Sequence, residues 1–77
     1  MIREHESVIL TEDLPKHGLK RGDIGVVVLL HGVAGYGVEF MTLDGETVAV
    51  VSLAKHQVRA VGPHKMAHSR PLEKHAP

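Results

Sequence analysis

The longest apolar run in the sequence is IGVVVLL at residues 24–30, and His31 follows it. This run limits the folds that the chain can adopt. It is far shorter than the roughly 18 to 20 residues that a membrane-spanning helix requires. Its consecutive valines favour an extended strand, because a β-branched side chain loses rotamer freedom in a helix. The run therefore predicts a β-strand with apolar side chains on both of its faces.

Four other short segments have the composition of strands and are separated by turn sequences. The further predicted strands are Ser7–Leu10, Tyr36–Met41, Thr47–Ser52 and Val58–Val61. The predicted turns are Gly32–Gly35, the Asp44-Gly45 hairpin and a 3₁₀ turn over Leu53–Gln57. A helix over residues 47–61 is the alternative, and its several valines disfavour it. Short strands, tight turns and no long helix predict an all-β fold, a small five-stranded antiparallel barrel over residues 1–61.

The polar segment from Thr11 to Asp23 is expected to be a long structured loop, because proline and glycine interrupt it. Gly18 and Gly22 supply the positive φ that such a loop needs where it turns into the main strand. Asp23 is expected to accept hydrogen bonds from backbone N–H groups at that turn. Gly25 suits a place where a strand bends or another backbone crosses closely.

Length and composition narrow the class of protein. A domain of 77 residues has a thin core, and the absence of cysteine excludes disulfides and thiolate metal sites. The N-terminal segment MIREHESV carries acidic residues where a signal peptide requires a basic flank and an apolar stretch. We therefore expect a cytoplasmic protein that is neither exported nor embedded in a membrane.

Charge divides the chain into an acidic body and a basic tail. Residues 1–54 contain four Lys or Arg against eight Asp or Glu, whereas residues 55–77 contain five against one. An acidic body opposes phosphate binding, which makes nucleic acid an unfavoured partner. Residues 62–77 contain histidine and proline without a periodic apolar face, and we expect this basic tail to be disordered or loosely attached.

Four motifs stand out along the body: TEDLP at 11–15, GLKRGDIG at 18–25, VEF at 38–40 and DGET at 44–47. Through these motifs the body resembles, over about residues 5–61, the bacterial domain of unknown function 4926 family. The resemblance implies a compact SH3-like barrel and no established activity. The segment GDIGVV at 22–27 is also similar to the short KOW element of ribosomal proteins and transcription elongation factors.

The seven histidines raise a metal-binding hypothesis, but the residues around them do not support it. His64 and His68 are four residues apart and are flanked by His56 and His75, yet no cysteine or nearby aspartate accompanies them, and prolines interrupt the segment. Catalysis needs a nucleophile or an acid–base pair held in a pocket, and no serine stands in a nucleophile motif. We expect no bound metal, no cofactor, no small-molecule substrate and no enzymatic activity.

Binding of a protein partner, or self-association, is the function that the sequence favours most. Both faces of the central strand are apolar, and a barrel has only one interior. Unless a loop covers them, Val27, Leu29 and Val51 are expected to form an exposed apolar patch, with Tyr36 as an exposed aromatic beside it. The alternative is a KOW-like module that binds RNA or the ribosome, with a basic loop whose candidate contacts are Lys16, Lys20 and Arg21.

Overall fold

The computed structural model describes residues 2–61, 71 and 72 of the chain. Within these residues the strands are β1 (Ser7–Leu10), β2 (Ile24–Leu30), β3 (Tyr36–Met41), β4 (Thr47–Leu53) and β5 (Val58–Ala60). Three short 3₁₀ turns lie at Pro15–His17, Gly32–Ala34 and Lys55–Gln57. The predicted strand limits are confirmed to within one residue, and the third 3₁₀ turn lies inside the predicted segment.

All described strands belong to one antiparallel sheet in the order β4-β3-β2-β1-β5. The expected all-β, five-stranded antiparallel fold is confirmed, and the order is compatible with an SH3-like barrel. The sheet curls around its core but is not closed by hydrogen bonds, because β4 and β5 remain its two edges.

The hydrophobic core is formed by the inward-facing side chains of all five strands. Phe40 and Leu10 are the largest fully buried side chains, and Leu19 from the long loop joins them. The other buried apolar residues are Val8, Val27, Val38, Leu53, Val58 and Leu72. Because Leu19 belongs to this set, the loop before β2 packs onto the sheet and does not extend into solvent.

The loop between β1 and β2 is held by its own backbone hydrogen bonds. Leu14 and Leu19 form an isolated antiparallel bridge, which brackets the first 3₁₀ turn. Gly18 and Gly22 have positive φ angles of 67° and 94°, as the sequence predicts. The buried Asp23 carboxylate accepts a hydrogen bond from the Lys20 N–H at 2.8 Å, which confirms the predicted role of this side chain at the corner.

A β-bulge interrupts the pairing of β2 with β3. Val27 pairs with Val38, but the next pair joins Leu29 to Gly37, so Val28 is the extra residue of β2. A bulge bends its strand and increases the local twist.

Leu72 belongs to the packed body although the sequence places it in the tail. Its side chain is only 8% exposed and is part of the core cluster. The boundary expected at residue 61 therefore does not mark the end of the residues that pack together. The other tail residues from position 62 onward, Pro71 excepted, lie outside the described residues, and their expected disorder stays a prediction.

Among the described residues there is no helix with the length and apolar character needed to cross a bilayer.

Candidate interaction surface

The face of β2 that contains Val27 packs against the hydrophobic core. The expectation that Val27 lies on the surface is therefore wrong. Val27 is 0% exposed and pairs with the buried Val38. Val51 on β4 also faces inward, because it lies opposite the buried Val38 of β3 and packs against the core. The sequence indicates correctly that both faces of β2 are apolar. Over the first half of the strand, however, the predicted inner and outer faces are exchanged, because Val27 is inside and Ile24 and Val26 are on the outer side.

Gly25 explains why the Val27 face is the inner one. A Cβ atom built on Gly25 would lie 2.6 Å from Val38 Cγ1 and 2.9 Å from Phe40 Cε1. These two side chains fill the space beside the glycine in the core. A glycine among valines is therefore the signal in the sequence that this face is crowded, and the predicted close approach at Gly25 involves mainly side chains.

The outer surface of the sheet carries the other apolar set, which we call the outer apolar face. Its members are Ile9, Ile24, Val26 and Val50 by alternation along the strands, and Leu29 because the bulge at Val28 shifts it to this face. Ile9 is opposite Ile24, and one cross-strand row runs from Ser7 through Val26 and Glu39 to Val50. Only Leu29 of the predicted patch residues belongs to this face.

Exposure is greatest at the margins of the outer apolar face. Leu29 is 53% exposed and Val50 is 58% exposed, whereas Ile9, Ile24 and Val26 are half-buried. Glu39 is the one carboxylate in the central row, and its Oε2 accepts a hydrogen bond from Thr47 Oγ1 at 2.5 Å. The apolar side chains of this surface are thus interrupted by Glu39, which stands between Val26 and Val50, and are bordered by the exposed Arg59, which lies opposite Ile9 on β5.

Tyr36 is not the freely exposed aromatic that the sequence predicts. It begins β3, pairs with Leu30 on β2 and with Leu53 on β4, and is half-buried against the core. Two other apolar residues near this end of the sheet are more open, namely Leu30 and Val33. The ring of Tyr36 therefore contributes to packing at this end of the sheet.

The basic loop candidates Lys16, Lys20 and Arg21 are all exposed, as expected. They share the loop with carboxylates, since the Arg21 N–H donates to Asp13 Oδ1 at 2.8 Å. Asp23 accepts in the same way from the Lys20 N–H. These acidic neighbours offset the positive potential that a phosphate-binding surface requires.

A cleft of about 340 Å³ separates the long loop from the end of β4. The residues around it are Asp13, Leu14, Pro15, Lys16, His17, Val51, Ser52, Leu53 and Gln57. Asp13, His17 and Ser52 are residue types that hydrolases use together, but in the described part of the chain no hydrogen bond joins His17 to either of them.

The histidines do not form a metal site in the described part of the chain. No group of three potential ligands is close enough together among these residues. His56 Nε2 lies 3.8 Å from Glu12 Oε1 at an exposed position. His64, His68 and His75 lie outside the described residues.

The sequence comparisons place the chain in a family without a described activity. The family model described as Domain of unknown function (DUF4926) matches residues 4–60. Comparisons with curated proteins and with solved structures found no match. Since the matched segment is more than half of the chain and contains all five strands, the chain belongs to the DUF4926 family.

Proposed function

We propose that this protein is a non-enzymatic protein-interaction module that self-associates through the outer apolar face. The observation that carries the proposal is the second apolar face of the sheet, which includes Ile24, Val26, Leu29 and Val50. In the described residues nothing packs over Leu29 and Val50, which leaves more than half of each side chain exposed. Exposed apolar side chains that share one face of a sheet are typical of protein contacts in soluble proteins.

The energetic case rests on the area that remains to be buried. Full burial of a leucine or valine is worth about 1.5–3 kcal/mol, and Leu29 and Val50 retain roughly half of that gain. The half-buried side chains of Ile9, Ile24 and Val26 add to it. A second copy of the chain offers the same apolar surface, so that one two-fold contact removes the outer apolar faces of both copies from water.

Absence of catalysis is part of the proposal. The cleft beside β4 is open, and its His17, Asp13 and Ser52 are not hydrogen-bonded to one another within the described residues. The proposed function therefore uses the sheet surface and not the cleft. A cytoplasmic location is proposed with it, because the sequence contains no cysteine.

The test compares charged substitutions on and away from the outer apolar face by size-exclusion chromatography with light scattering. Leu29→Asp and Val50→Lys remove apolar surface from the face at exposed positions, and lysine is used at position 50 because this residue lies opposite Glu39. Val33→Asp and Leu43→Asp are the matched controls, because they lie in loops and are 94% and 86% exposed. We expect the first pair to reduce the mass at high concentration to that of a monomer and the control pair to leave it unchanged.

Two results would contradict the proposed self-association. One is a wild-type mass of 8.4 kDa at every concentration tested. The other is an equal loss of association in the control variants, which would mean that general surface hydrophobicity causes it. Circular dichroism of each variant establishes that the sheet is retained.

The second candidate is a KOW-like module that binds RNA through the basic loop. Its support is the exposure of Lys16, Lys20 and Arg21 on one loop. Binding of a labelled RNA to the full chain would then fall steeply with added salt and would be lost in Lys20→Glu/Arg21→Glu. Absence of RNA binding at low salt would eliminate this candidate.

A further inference from the structure

Gly37 on β3 is a position of the outer surface that has no side chain of its own. It lies opposite Leu29 on β2 and opposite Ser52 on β4, so it belongs to the same side of the sheet as these two residues. Alternation along β3 agrees, because Glu39, two residues later, is in the central row of the outer apolar face. Gly37 is nevertheless buried. Neighbouring side chains therefore cover its backbone.

The side chains that cover Gly37 are those of Leu29 and His31. A Cβ atom built on Gly37 would lie 3.2 Å from Leu29 Cβ and 3.5 Å from His31 Nε2. Since a Cβ at this position points away from the core, the imidazole ring lies on the outer side of the sheet, over Gly37. The ring thus takes the place that a side chain of residue 37 would occupy.

The backbone of His31 is fixed at the end of β2. Its N–H donates to the Gly35 carbonyl at 2.9 Å, and its C=O accepts from the Ala34 N–H at 3.1 Å. These two bonds enclose the 3₁₀ turn Gly32–Ala34. The side chain of His31 therefore starts from a defined point when it extends over β3.

The imidazole lies among the residues that the proposed self-association buries. Leu29 is its direct neighbour over Gly37. Val50 is two residues from Ser52 and on the same side of β4. Leu29 and Val50 are the two most exposed members of the outer apolar face, and His31 is exposed as well. A contact that covers both apolar side chains also covers the ring.

On the neighbouring strands the only charged group that faces the ring from the described residues is Glu39. Its Oε2 accepts from Thr47 Oγ1, and Thr47 pairs with Met41, on the side of Glu39 away from Gly37. Tyr36, the other titratable residue of β3, packs against the core on the opposite face. Strand β4 and the turn Gly32–Ala34 contain no charged residue.

The segment before β1 brings further titratable groups alongside β2. The His5 N–H donates to the Val27 carbonyl, and Arg3, Glu4 and Glu6 belong to the same short segment. His5 Nε2 lies 3.9 Å from Glu4 Oε1, so a proton on His5 is balanced within this segment. The imidazole of His31 has no hydrogen bond or ion pair within the described part of the chain.

We propose that His31 makes the self-association dependent on pH, so that two copies associate when His31 is neutral and separate when it is protonated. This inference rests on the proposed function and specifies its regulation. Apolar cover costs an imidazolium far more than a neutral imidazole, because the charged ring loses its hydration and has no bonded carboxylate to replace it. In a two-fold contact each copy contributes one His31, so two positive charges would enter the same interface.

The direction of the effect follows from proton linkage. Histidine is the side chain whose charge ordinarily changes between about pH 5 and 8. The separated chains bind a proton at His31 and the associated chains do not, so acidification favours separation. If each copy releases one proton on association, Kd rises by up to about a hundredfold per pH unit at the acidic end. We expect a rise of at least about tenfold between about pH 7.5 and pH 5.5.

Sedimentation equilibrium of the full-length chain over this pH range measures Kd for the wild type and for three variants. His31→Gln is neutral at every pH, so it should associate and lose most of the pH dependence. His31→Lys stays charged, so it should associate weakly even at the alkaline end. His17→Gln is the matched control, because His17 is an exposed histidine of the loop before β2, and it should retain the wild-type dependence.

Three results would overturn the role of His31. The first is a wild-type Kd that stays constant or falls on acidification. The second is an equal rise of Kd in His31→Gln, since this variant retains every carboxylate and all the other histidines, and general acid destabilisation would affect it equally. The third is loss of the dependence in His5→Gln with its retention in His31→Gln, which would assign the effect to the segment before β1.

The two proposals fail in distinguishable ways. If the wild-type chain is monomeric at every pH, the proposed self-association itself is wrong. If the wild-type chain associates and Leu29→Asp prevents it, but Kd changes with pH equally in the wild type and in His31→Gln, then the outer apolar face is used without control by His31. In that case only the regulation is refuted.

Discussion

Substitution of Gly25 by alanine tests the inner packing of β2, on which the assignment of the two faces depends. The Cβ of an alanine would approach Val38 Cγ1 to 2.6 Å, Phe40 Cε1 to 2.9 Å and the Glu39 carbonyl oxygen to 3.0 Å. Real Cβ contacts are almost never shorter than 3.0 Å. A change of side-chain rotamer could relieve the contact with Val38, but the carbonyl belongs to the backbone of β3.

The sign of the change in the free energy of unfolding distinguishes crowding in the core from the entropy of the unfolded chain. Gly25 has no positive φ, so alanine at an open position of this kind would stabilise the protein by about 0.4–1 kcal/mol through the unfolded state. Overpacking of a core typically costs about 1–3 kcal/mol. We therefore expect a net loss of about 1–2 kcal/mol, which corresponds to a fall in Tm of about 5–15 °C for a domain of this size.

Urea denaturation followed by circular dichroism measures this loss, and Val38→Ala identifies its cause. Val38→Ala removes the closest clashing atom, so the double variant should lose less free energy of unfolding than the two single variants together. A coupling of about 0.5–3 kcal/mol is typical for residues in contact. An increase in stability for Gly25→Ala, or strict additivity with Val38→Ala, would refute the reasoning that this face is the crowded interior.

Three further substitutions test other parts of the fold in the same denaturation assay. His5 has a φ of 71°, so His5→Gly should raise the free energy of unfolding by about 0.5–1 kcal/mol, and a decrease would contradict strain at this turn. Asp23→Ala removes the acceptor for the Lys20 N–H and should cost about 1–3 kcal/mol, whereas the exposed Asp44→Ala should cost almost nothing. Leu72→Ala should cost about 2 kcal/mol, and an unchanged stability would mean that Leu72 does not pack on the core.

The strand limits were predictable because each strand is bounded by residues with definite backbone preferences. Gly18 and Gly22 supply positive φ angles before β2, and Gly45 does so, with a φ of 87°, in the hairpin before β4. Such positions are readable from sequence, since few residues other than glycine adopt them readily. The long loop was predictable for the same reason, and Asp23 serves there as the expected acceptor.

The exposed face was not predictable from periodicity alone. Alternation separates Ile24 and Val26 from Val27, but both sets are apolar, so the pattern contains no information about which set is inside. Gly25 was the usable signal, because a glycine in a strand often marks a crowded approach. The bulge at Val28 has no sequence signature, and it moves Leu29 to the outer surface independently of the simple alternation.

The burial of Leu72 was not predictable either. A single leucine among prolines and charged residues has no periodic partner in the sequence that would indicate a strand or helix. Its place in the core depends on how the chain returns to the sheet, which is a tertiary property. The same limit applies to the cleft beside β4, whose lining comes from three separate segments of the chain.

Sedimentation equilibrium of the wild-type chain from micromolar to millimolar concentration tests the central claim most directly. The claim is that the outer apolar face holds two copies together, and it predicts a rise in the weight-average mass from 8.4 kDa toward twice that value. A mass that stays at 8.4 kDa throughout this range would contradict it.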